Sequence, residues 1–396
     1  CTACLTSRSD LTGELKLSEF TDDQTATRDM TRDFVAKEIA PFAAQWDREG
    51  ATPLDTLRRL GALGLFGMTV PGEWGGAEID FVGYVLATEE LAYGDAGVCN
   101  AVNATNSYCF KVRDFGTAAQ KEEFLRPVAS GQNIGCMLLT EPHTGSDAAN
   151  IRTRAEFQGD HYVVNGAKTF ITSGRSSDMA VLIAVTDAAA GKRGISAFLI
   201  RTNQPGYIVA REEVKMGHRA SDTCEIILDN LKIPAANMLG EPGQGLRVAL
   251  SGLESGRIAV AAQAAGIARA ALDAAMAYAQ EREAFGRKIF DHQAVAFSLA
   301  DMAMDIEVAR QMGHHAARMK QAGKRCVKES SIAKLFASQM CERVCSAAIQ
   351  AHGGVGYTND YPVEKLYRDA KVLQIYDGTN EVQKIIISRE LAAEYS

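Results

Sequence analysis

The sequence predicts an α+β protein in three consecutive parts: an N-terminal helical domain, a middle antiparallel β domain and a C-terminal helical bundle. Three observations predict it. Apolar residues recur at helical spacing through the first third. The middle third changes to short apolar runs between turn residues. The last third returns to long Ala-, Leu- and Ile-rich stretches with few breakers besides glycine. At 396 residues the chain is long for one core. The expected boundaries are an irregular tail at 1–16, the first helical domain at 17–135, the β domain at 136–238 and the bundle at 239–396.

Residues 1–16 are polar, show no period and lack the charged-then-apolar order of a secretory signal. Met30, Phe34, Ile39, Phe42 and Trp46 then form one helical stripe, with Asp22 and Asp23 as candidate caps and Pro41 as a break. A second helix carries Leu54, Leu57, Leu60 and Leu63. Pro71-Gly72 and Gly75-Gly76 mark loops, and helical patterns resume at 82–95 and 118–130. In the middle third, Asn165-Gly166 is a two-residue hairpin signal between strands at 161–164 and 168–171. Further strands are expected at 179–185, 195–200, 207–210 and 225–228, in a small antiparallel barrel or sandwich. Helices at 246–282, 292–321, 327–350 and 379–393 complete the chain.

Composition narrows the function. The charge balance is 42 − 49 = −7, against a nucleic-acid binder. No apolar run reaches the length of a membrane span, about 18 residues. The nine cysteines are an odd number, and the lone Cys1-x-x-Cys4 pair has no second pair. They read as reduced thiols rather than a disulfide framework or zinc site. Gly353-Gly354-Val355-Gly356 follows a helix and is no dinucleotide fingerprint; a phosphate-binding P-loop, a zinc-protease helix and a serine elbow are all missing. So few generic motifs in a chain this size suit a large cofactor held by dispersed contacts.

A series of ordered motifs carries more. Residues 136–147 read Cys-Met-Leu-Leu-Thr-Glu-Pro-His-Thr-Gly-Ser-Asp, and 166–172 read Gly-Ala-Lys-Thr-Phe-Ile-Thr. Then come Met216 to Asp222, Arg282-Glu-Ala-Phe-Gly286, Gln350-Ala-His-Gly-Gly354, Tyr367 to Lys371 and Ile375-Tyr-Asp-Gly-Thr379. From about Leu17 to its end the chain resembles the flavin-dependent acyl-CoA dehydrogenase family, of short- or branched-chain type. The resemblance implies FAD as cofactor, a homotetramer, an acyl-CoA substrate and an electron-transfer flavoprotein as acceptor. It implies flavin contacts from Met137, Leu139, Thr140, Ser146, Phe170 and Thr172, with Ser146 also near substrate and Thr172 near flavin N5. Across a subunit boundary it implies contacts from Arg282, Phe285 and Gln293 to the pyrophosphate and adenosine, with Gln350, Gly353 and Gly354 a further pyrophosphate-side contact and Thr379 and Glu381 near the adenosine end. It implies Glu254, Arg257 and Arg389 on the CoA side and Asn103, with Asn100, in the acyl cavity. Each also has a plainer reading: a polar turn at 140–147, a core strand residue at Phe170, a helix cap at Gly353 or a structural ion pair at Arg257 and Arg389.

The family's reaction takes a proton from the carbon beside a thioester carbonyl with a carboxylate, and a hydride from the next carbon to flavin N5. That carboxylate is usually Glu in Ile-Tyr-Glu-Gly-Thr; here it is Asp377. The side chain is shorter by about 1 Å, and a misplacement of that size costs on the order of 10²-fold in rate. Asp377 as base for a short, branched or cyclic acyl-CoA is the first reading. Some branches carry the base at the position of Gly256, which has no side chain here. Nitroalkane oxidases of the same superfamily use Asp, but the retained CoA-side residues argue against that chemistry. A flavin-binding, non-catalytic interaction protein is the remaining alternative. Abundant alanine and arginine over lysine suggest a bacterial cytoplasm, with the mitochondrial matrix second.

Overall fold

The computed structural model describes residues 20–396; the tail expected at 1–16 and the Cys1–Cys4 pair lie outside them. The N-terminal domain holds α1 (Asp22–Glu38), α2 (Ala43–Glu49), α3 (Leu54–Ala62), α4 (Phe81–Gly94) and α5 (Ala96–Phe115). Thr21, not Asp22 or Asp23, caps α1, in a reciprocal capping box with Gln24; the two aspartates sit in the first turn, where the helix dipole favours them. The break at Pro41 separates α1 from α2. The expected stripe is only partly interior: Ile39 is buried, whereas Phe42 is 43% exposed.

Helix α5 lies between the two stretches read as helical, at 82–95 and 118–130. Its Asn, Ser and Thr residues mask an apolar period that the structure buries through Val98, Val102, Cys109 and Val112. Asp95 caps it by accepting from the Val98 N–H at 2.9 Å. Two short pieces follow, α6 (Ala118–Gln120) and α7 (Arg126–Ala129), joined by a π turn at Lys121–Leu125.

The middle domain has β1 (Gly135–Leu138), β2 (Arg154–Gln158), β3 (His161–Thr172), β4 (Met179–Val185), β5 (Ile195–Arg201), β6 (Tyr207–Glu212), β7 (Thr223–Pro234) and β8 (Met238–Leu239). They form one sheet in the order β6-β7-β3-β2-β4-β5-β8, with β1 beside β4. The sheet is mixed rather than purely antiparallel, because β1 enters from the helical domain and runs parallel to β4. The Asn165-Gly166 hairpin is also corrected. Strand β3 runs straight through that dipeptide, paired with β7 across a bulge. The real turn is Gly159-Asp160, where Gly159 has φ 77° and Gln158 pairs with His161. Gly166 serves a close approach instead: a Cβ there would lie 2.5 Å from Thr153 Oγ1.

The last third contains α8 (Gly245–Leu250), α9 (Leu253–Glu281), α10 (Gln293–Gln321), α11 (Val327–His352), α12 (Val363–Lys371) and α13 (Asn380–Glu394). The long stretch expected at 246–282 is interrupted at Gly252, whose φ of 76° needs glycine. By composition the 245–281 stretch is apolar enough to cross a membrane, yet 72% of its most apolar window is buried inside the protein. Its alanines let α4, α10 and α11 approach closely: a Cβ on Gly266 would sit 2.2 Å from the Glu89 carbonyl oxygen of α4. After α9, a small hairpin of β9 (Glu283–Ala284) and β10 (Arg287–Lys288) projects from the end of the bundle.

Candidate active site

Asp377 sits on a loop between α12 and α13 where two successive residues, Asp377 and Gly378, have φ of 51° and 85°. A non-glycine residue in that region costs energy and persists only when neighbours fix it. Here they do. Lys334 of α11 donates to the Gly378 carbonyl oxygen at 2.9 Å, and Gln383 of α13 donates to the same oxygen at 2.9 Å and to the Asp377 carbonyl oxygen at 3.2 Å. Tyr376 is hydrogen-bonded through its hydroxyl to Gln263 of α9, which in turn donates to the Ala96 carbonyl oxygen at the start of α5. The Asp377 carboxylate faces Gly256: a Cβ built there would lie 3.5 Å from its carbon and Oδ2. The side-chain-free Gly256 thus leaves the space beside it to the Asp377 carboxylate.

Burial lifts the Asp377 carboxyl above its ordinary value against the opposing pull of Lys111, Lys334 and Arg257. By surface area Asp377 is exposed to the cleft, so the lift comes from the protein mass around the carboxylate rather than from its full enclosure. Burial in turn pushes Lys334 down to about 8, while Asp377 and Glu381 pull it back.

The wall opposite is one face of α5. On this largely buried helix Asn100, Asn103, Ala104 and Ser107 remain half-exposed, at spacings of one helical face. Asn103 accepts from the Tyr84 hydroxyl at 3.1 Å and from the Thr88 hydroxyl at 3.3 Å. Asn100 lies 3.5 Å from the Thr172 hydroxyl, so the candidate flavin residue Thr172 and the candidate acyl wall share one cleft.

A buried ionic cluster ties the three domains together behind that cleft. Lys365 of α12 contacts Asp95 at 2.8 Å and Asp369 at 2.7 Å, and Asp369 accepts from the His218 N–H at 2.6 Å. Asp95 belongs to the first domain, His218 to the middle one and Lys365 to the bundle. Burial opposes both charges, yet their mutual attraction holds Asp369 below and Lys365 above the ordinary range. Gly217 is obligatory beside it, since a Cβ would meet the Arg368 carbonyl oxygen at 2.6 Å. The motifs at 216–222 and 367–371 therefore set the angle between domains.

On the middle domain, the loop after β1 carries Leu139 and Thr140 half-buried and Ser146 exposed; Met137 is half-buried at the end of β1. Glu141 anchors the loop: it accepts from Lys168 at 2.8 Å and from the Arg152 and Thr153 N–H groups at 2.7 and 3.0 Å. Burial works against the Glu141 charge, but Lys168 and these donors hold it below its ordinary value. The Thr169 N–H reaches the Thr140 carbonyl oxygen at 2.9 Å and joins the loop to β3. Phe170 stands at φ 54°, 66% exposed, an aromatic ring presented rather than packed.

The remaining expected cofactor residues separate into two groups. Thr379 caps α13 and Glu381 lies in its first turn, both beside Asp377. Arg282, Phe285 and Gln293 lie at the opposite end of α9, 26 residues from Gly256 at the nearest, or about 39 Å along the helix. Gln350, Gly353 and Gly354 are at that same end, where His352 stacks on Tyr278 at 4.5 Å. Phe285 is 97% exposed, and a Cβ on Gly353 or Gly354 would meet nothing within 4 Å. Gly353 is required by its φ of 65° at the end of α11 and Gly354 by no packing, and both leave backbone that a phosphate can approach. The presented Phe170 ring and this open backbone both fit FAD, whose flat ring and phosphates they suit.

Glu254, Arg257 and Arg389 do come together, lining a groove of about 380 Å³ with Leu253, Val327 and Ile386. Arg257 donates to the Ser331 hydroxyl at 3.3 Å and leaves its buried Nε without a partner among the described residues. Sequence reasoning missed Lys334 and Gln383 as supports of the base loop, and Lys111, Ser107, Tyr84 and Thr88 on the cleft wall. Only Lys111 advertises itself, as a charge inside the apolar run Tyr108-Cys-Phe-Lys-Val112.

Comparison with known proteins agrees with this geometry. Three family descriptions match in order: acyl-CoA dehydrogenase N-terminal domain at 21–132, middle domain at 136–231 and C-terminal domain at 243–392. An acyl-CoA dehydrogenase of Bacillus subtilis (strain 168) is 44% identical over 94% of this chain and 98% of that protein. The solved butyryl-CoA dehydrogenase from Megasphaera elsdenii matches with TM-score 0.93 and 41% identity, over 95% of this chain and 99% of that one. A chain in the structure described as the electron transferring flavoprotein of Acidaminococcus fermentans matches with TM-score 0.93 and 42% identity, over 94% of this chain and 98% of that one. Three domains matched end to end, on a cleft with a single loop carboxylate, identify the chain as a member of the acyl-CoA dehydrogenase family of flavoprotein oxidoreductases.

Proposed function

We propose that this protein oxidises a short acyl-CoA, straight, branched or cyclic, to its α,β-enoyl thioester, with Asp377 as the base. The observation that carries the reading is the Asp377 carboxylate itself: lifted above its ordinary value, held on a strained loop and facing Gly256 in the cleft that Asn100 shares with Thr172. A base works best when its pKa approaches the working pH. In the reaction the α C–H bond breaks, its proton goes to an Asp377 oxygen, and its electron pair becomes part of the new double bond. FAD, when bound, supplies the acceptor for the hydride leaving the β-carbon. The Asp377 N–H, which bonds no described residue, is available to the thioester oxygen as charge builds there. Arg257 and Arg389 line the groove for the CoA portion. The similarity to a butyryl-CoA dehydrogenase of Megasphaera elsdenii supports a short acyl group.

A homotetramer with flavin shared between chains is supported by the exposed far-end residues and by Phe297, Met304 and Val308 exposed along α10. An electron-transfer flavoprotein as acceptor is supported by the Acidaminococcus fermentans match, and a bacterial cytoplasm by the bacterial relatives. The test is anaerobic: butyryl-, isobutyryl- and cyclohexanecarboxyl-CoA are added to the yellow holoenzyme and the flavin absorbance followed. At least one bleaches the wild type. Asp377→Ala keeps the flavin and does not bleach; an Asp377→Ala enzyme that still bleaches at the wild-type rate removes Asp377 from the role.

A further inference from the structure

Lys111 is the residue the mechanism above leaves unused. It is 3% exposed, one turn beyond Ser107 on the face of α5 that lines the cleft. Its ammonium folds back onto that turn, donating to the Ser107 hydroxyl at 3.0 Å and the Ser107 carbonyl oxygen at 3.3 Å. Among the described residues no carboxylate forms an ion pair with it. The acids acting on it are Asp377 and Asp114, both from a distance. A buried cation without a counter-ion is costly to keep, and proteins normally pair it. Two other buried lysines have such partners: Glu141 for Lys168, and Asp95 with Asp369 for Lys365. Lys334 also lacks a carboxylate among the described residues, but it donates to the Gly378 carbonyl oxygen and the Asn380 side-chain oxygen beside Asp377.

The rest of the wall is also unusual for an acyl cavity. Asn100, Asn103 and Ser107 present amide and hydroxyl groups where an alkyl chain would want methyl groups, and the Tyr84 hydroxyl is turned onto Asn103 rather than away. The Asn103 amide is already bonded to Tyr84, Thr88 and Cys99, so the wall stays polar and offers an alkyl chain few apolar contacts.

We propose that the acyl group of the substrate carries a second carboxylate, received by the Lys111 ammonium and the Ser107 hydroxyl, so that the protein acts on short dicarboxylic acyl-CoA thioesters in preference to simple alkanoyl ones. The inference rests on the acyl-CoA reading given above. Burial pushes Lys111 down to about 8, so the ammonium remains charged at neutral pH and able to accept an anion. Because Lys111 also pulls on Asp377, a carboxylate paired with it would cancel that pull and leave Asp377 the stronger base only when the matching substrate is bound.

The experiment uses the flavin-loaded enzyme under anaerobic conditions with succinyl-, methylsuccinyl-, glutaryl- and adipyl-CoA against butyryl-, valeryl- and hexanoyl-CoA. At least one dicarboxylic ester should reduce the flavin with a kcat/KM roughly tenfold to a hundredfold above the alkanoyl ester of the same carbon count, the size of one charge-assisted contact. Lys111→Met should lower that preference to about unity or invert it, and Lys111→Arg should keep part of it. Uniform slowing of both ester classes by Lys111→Met would assign the lysine to tuning Asp377 alone and overturn the proposal. So would a wild-type preference for alkanoyl esters, which would leave the dehydrogenation reading standing. Flavin bleached by neither class would overturn that reading itself, and this inference with it. Since Lys111→Met could disturb folding, Ser107→Ala gives a second test: it should weaken the preference in the same direction by a smaller factor.

Discussion

The two ends of α9 are built on opposite principles. At its N-terminal end the loop carrying Asp377 is held by other parts of the same chain: Lys334 and Gln383 on the loop carbonyls, Gln263 on Tyr376, and the Asp95–Lys365–Asp369 cluster behind. At its C-terminal end Arg282, Phe285, Gln350 and Gly354 stand exposed and unpacked, while Gly353 is fixed as the α11 cap by its φ of 65°. The contrast teaches that positioning chemistry and holding a cofactor are separate tasks here. The first is completed by folding; the second, about 39 Å away along the helix, waits for a ligand.

The sharpest way to break the contrast is at the base. Asp377→Ala should slow flavin reduction by on the order of 10²- to 10⁴-fold, as expected for loss of general-base catalysis, while the visible spectrum of bound flavin persists. Adding Gly256→Glu to that variant should recover part of the rate, because the new side chain starts 3.5 Å from where the carboxylate stood. Recovery in rapid-mixing absorbance would show that the spot, rather than residue 377, carries the chemistry; no recovery would tie it to the loop.

Next in size is the cluster behind the cleft. Lys365→Ala leaves Asp95 and Asp369 buried without their cation, which should cost about 3–5 kcal/mol of stability. Thermal unfolding should move down by many degrees. Arg282→Ala at the open end should do the reverse: leave unfolding of the flavin-free protein unmoved and weaken FAD retention, by roughly tenfold on gel filtration at low protein concentration. If Arg282→Ala destabilises the flavin-free fold instead, the far end is structural and the contrast fails.

Legibility in the sequence followed the same division. The order of helical, β and helical parts was readable, because hydrophobic period reports burial within one chain. So was the 375–379 loop, whose motif is local. The α5 helix was hidden because its cleft face is polar, and a polar cleft face looks like a solvated surface. The Asn165-Gly166 turn was misread because glycine is needed both for turns and for close approach, here to Thr153, and local sequence cannot separate the two. The supports of the base loop, Lys334 and Gln383, were invisible for a third reason. They reach Asp377 and Gly378 only once α11 and α13 have packed, and no spacing rule links them.

The smallest effect concerns what the base costs the fold. A carboxyl whose folded pKa is raised binds a proton more tightly in the native state than in the unfolded chain. Its contribution to stability therefore falls as pH rises from the ordinary carboxylate value through the raised one, the opposite sign from Glu141, whose lowered pKa contributes stability that is lost as pH falls. Above the raised value the ionised Asp377 is a net burden. Asp377→Asn removes that charge, keeps the shape and should raise the unfolding temperature slightly at pH 8 while making no difference at pH 4. Flavin reduction in the wild type should fall on the acid side through that same raised value, above the range of an ordinary aspartate. A stability gain for Asp377→Asn that is equal at both pH values would mean the carboxylate is as well solvated as in the unfolded chain. The cleft would then be no drier at one end of α9 than at the other.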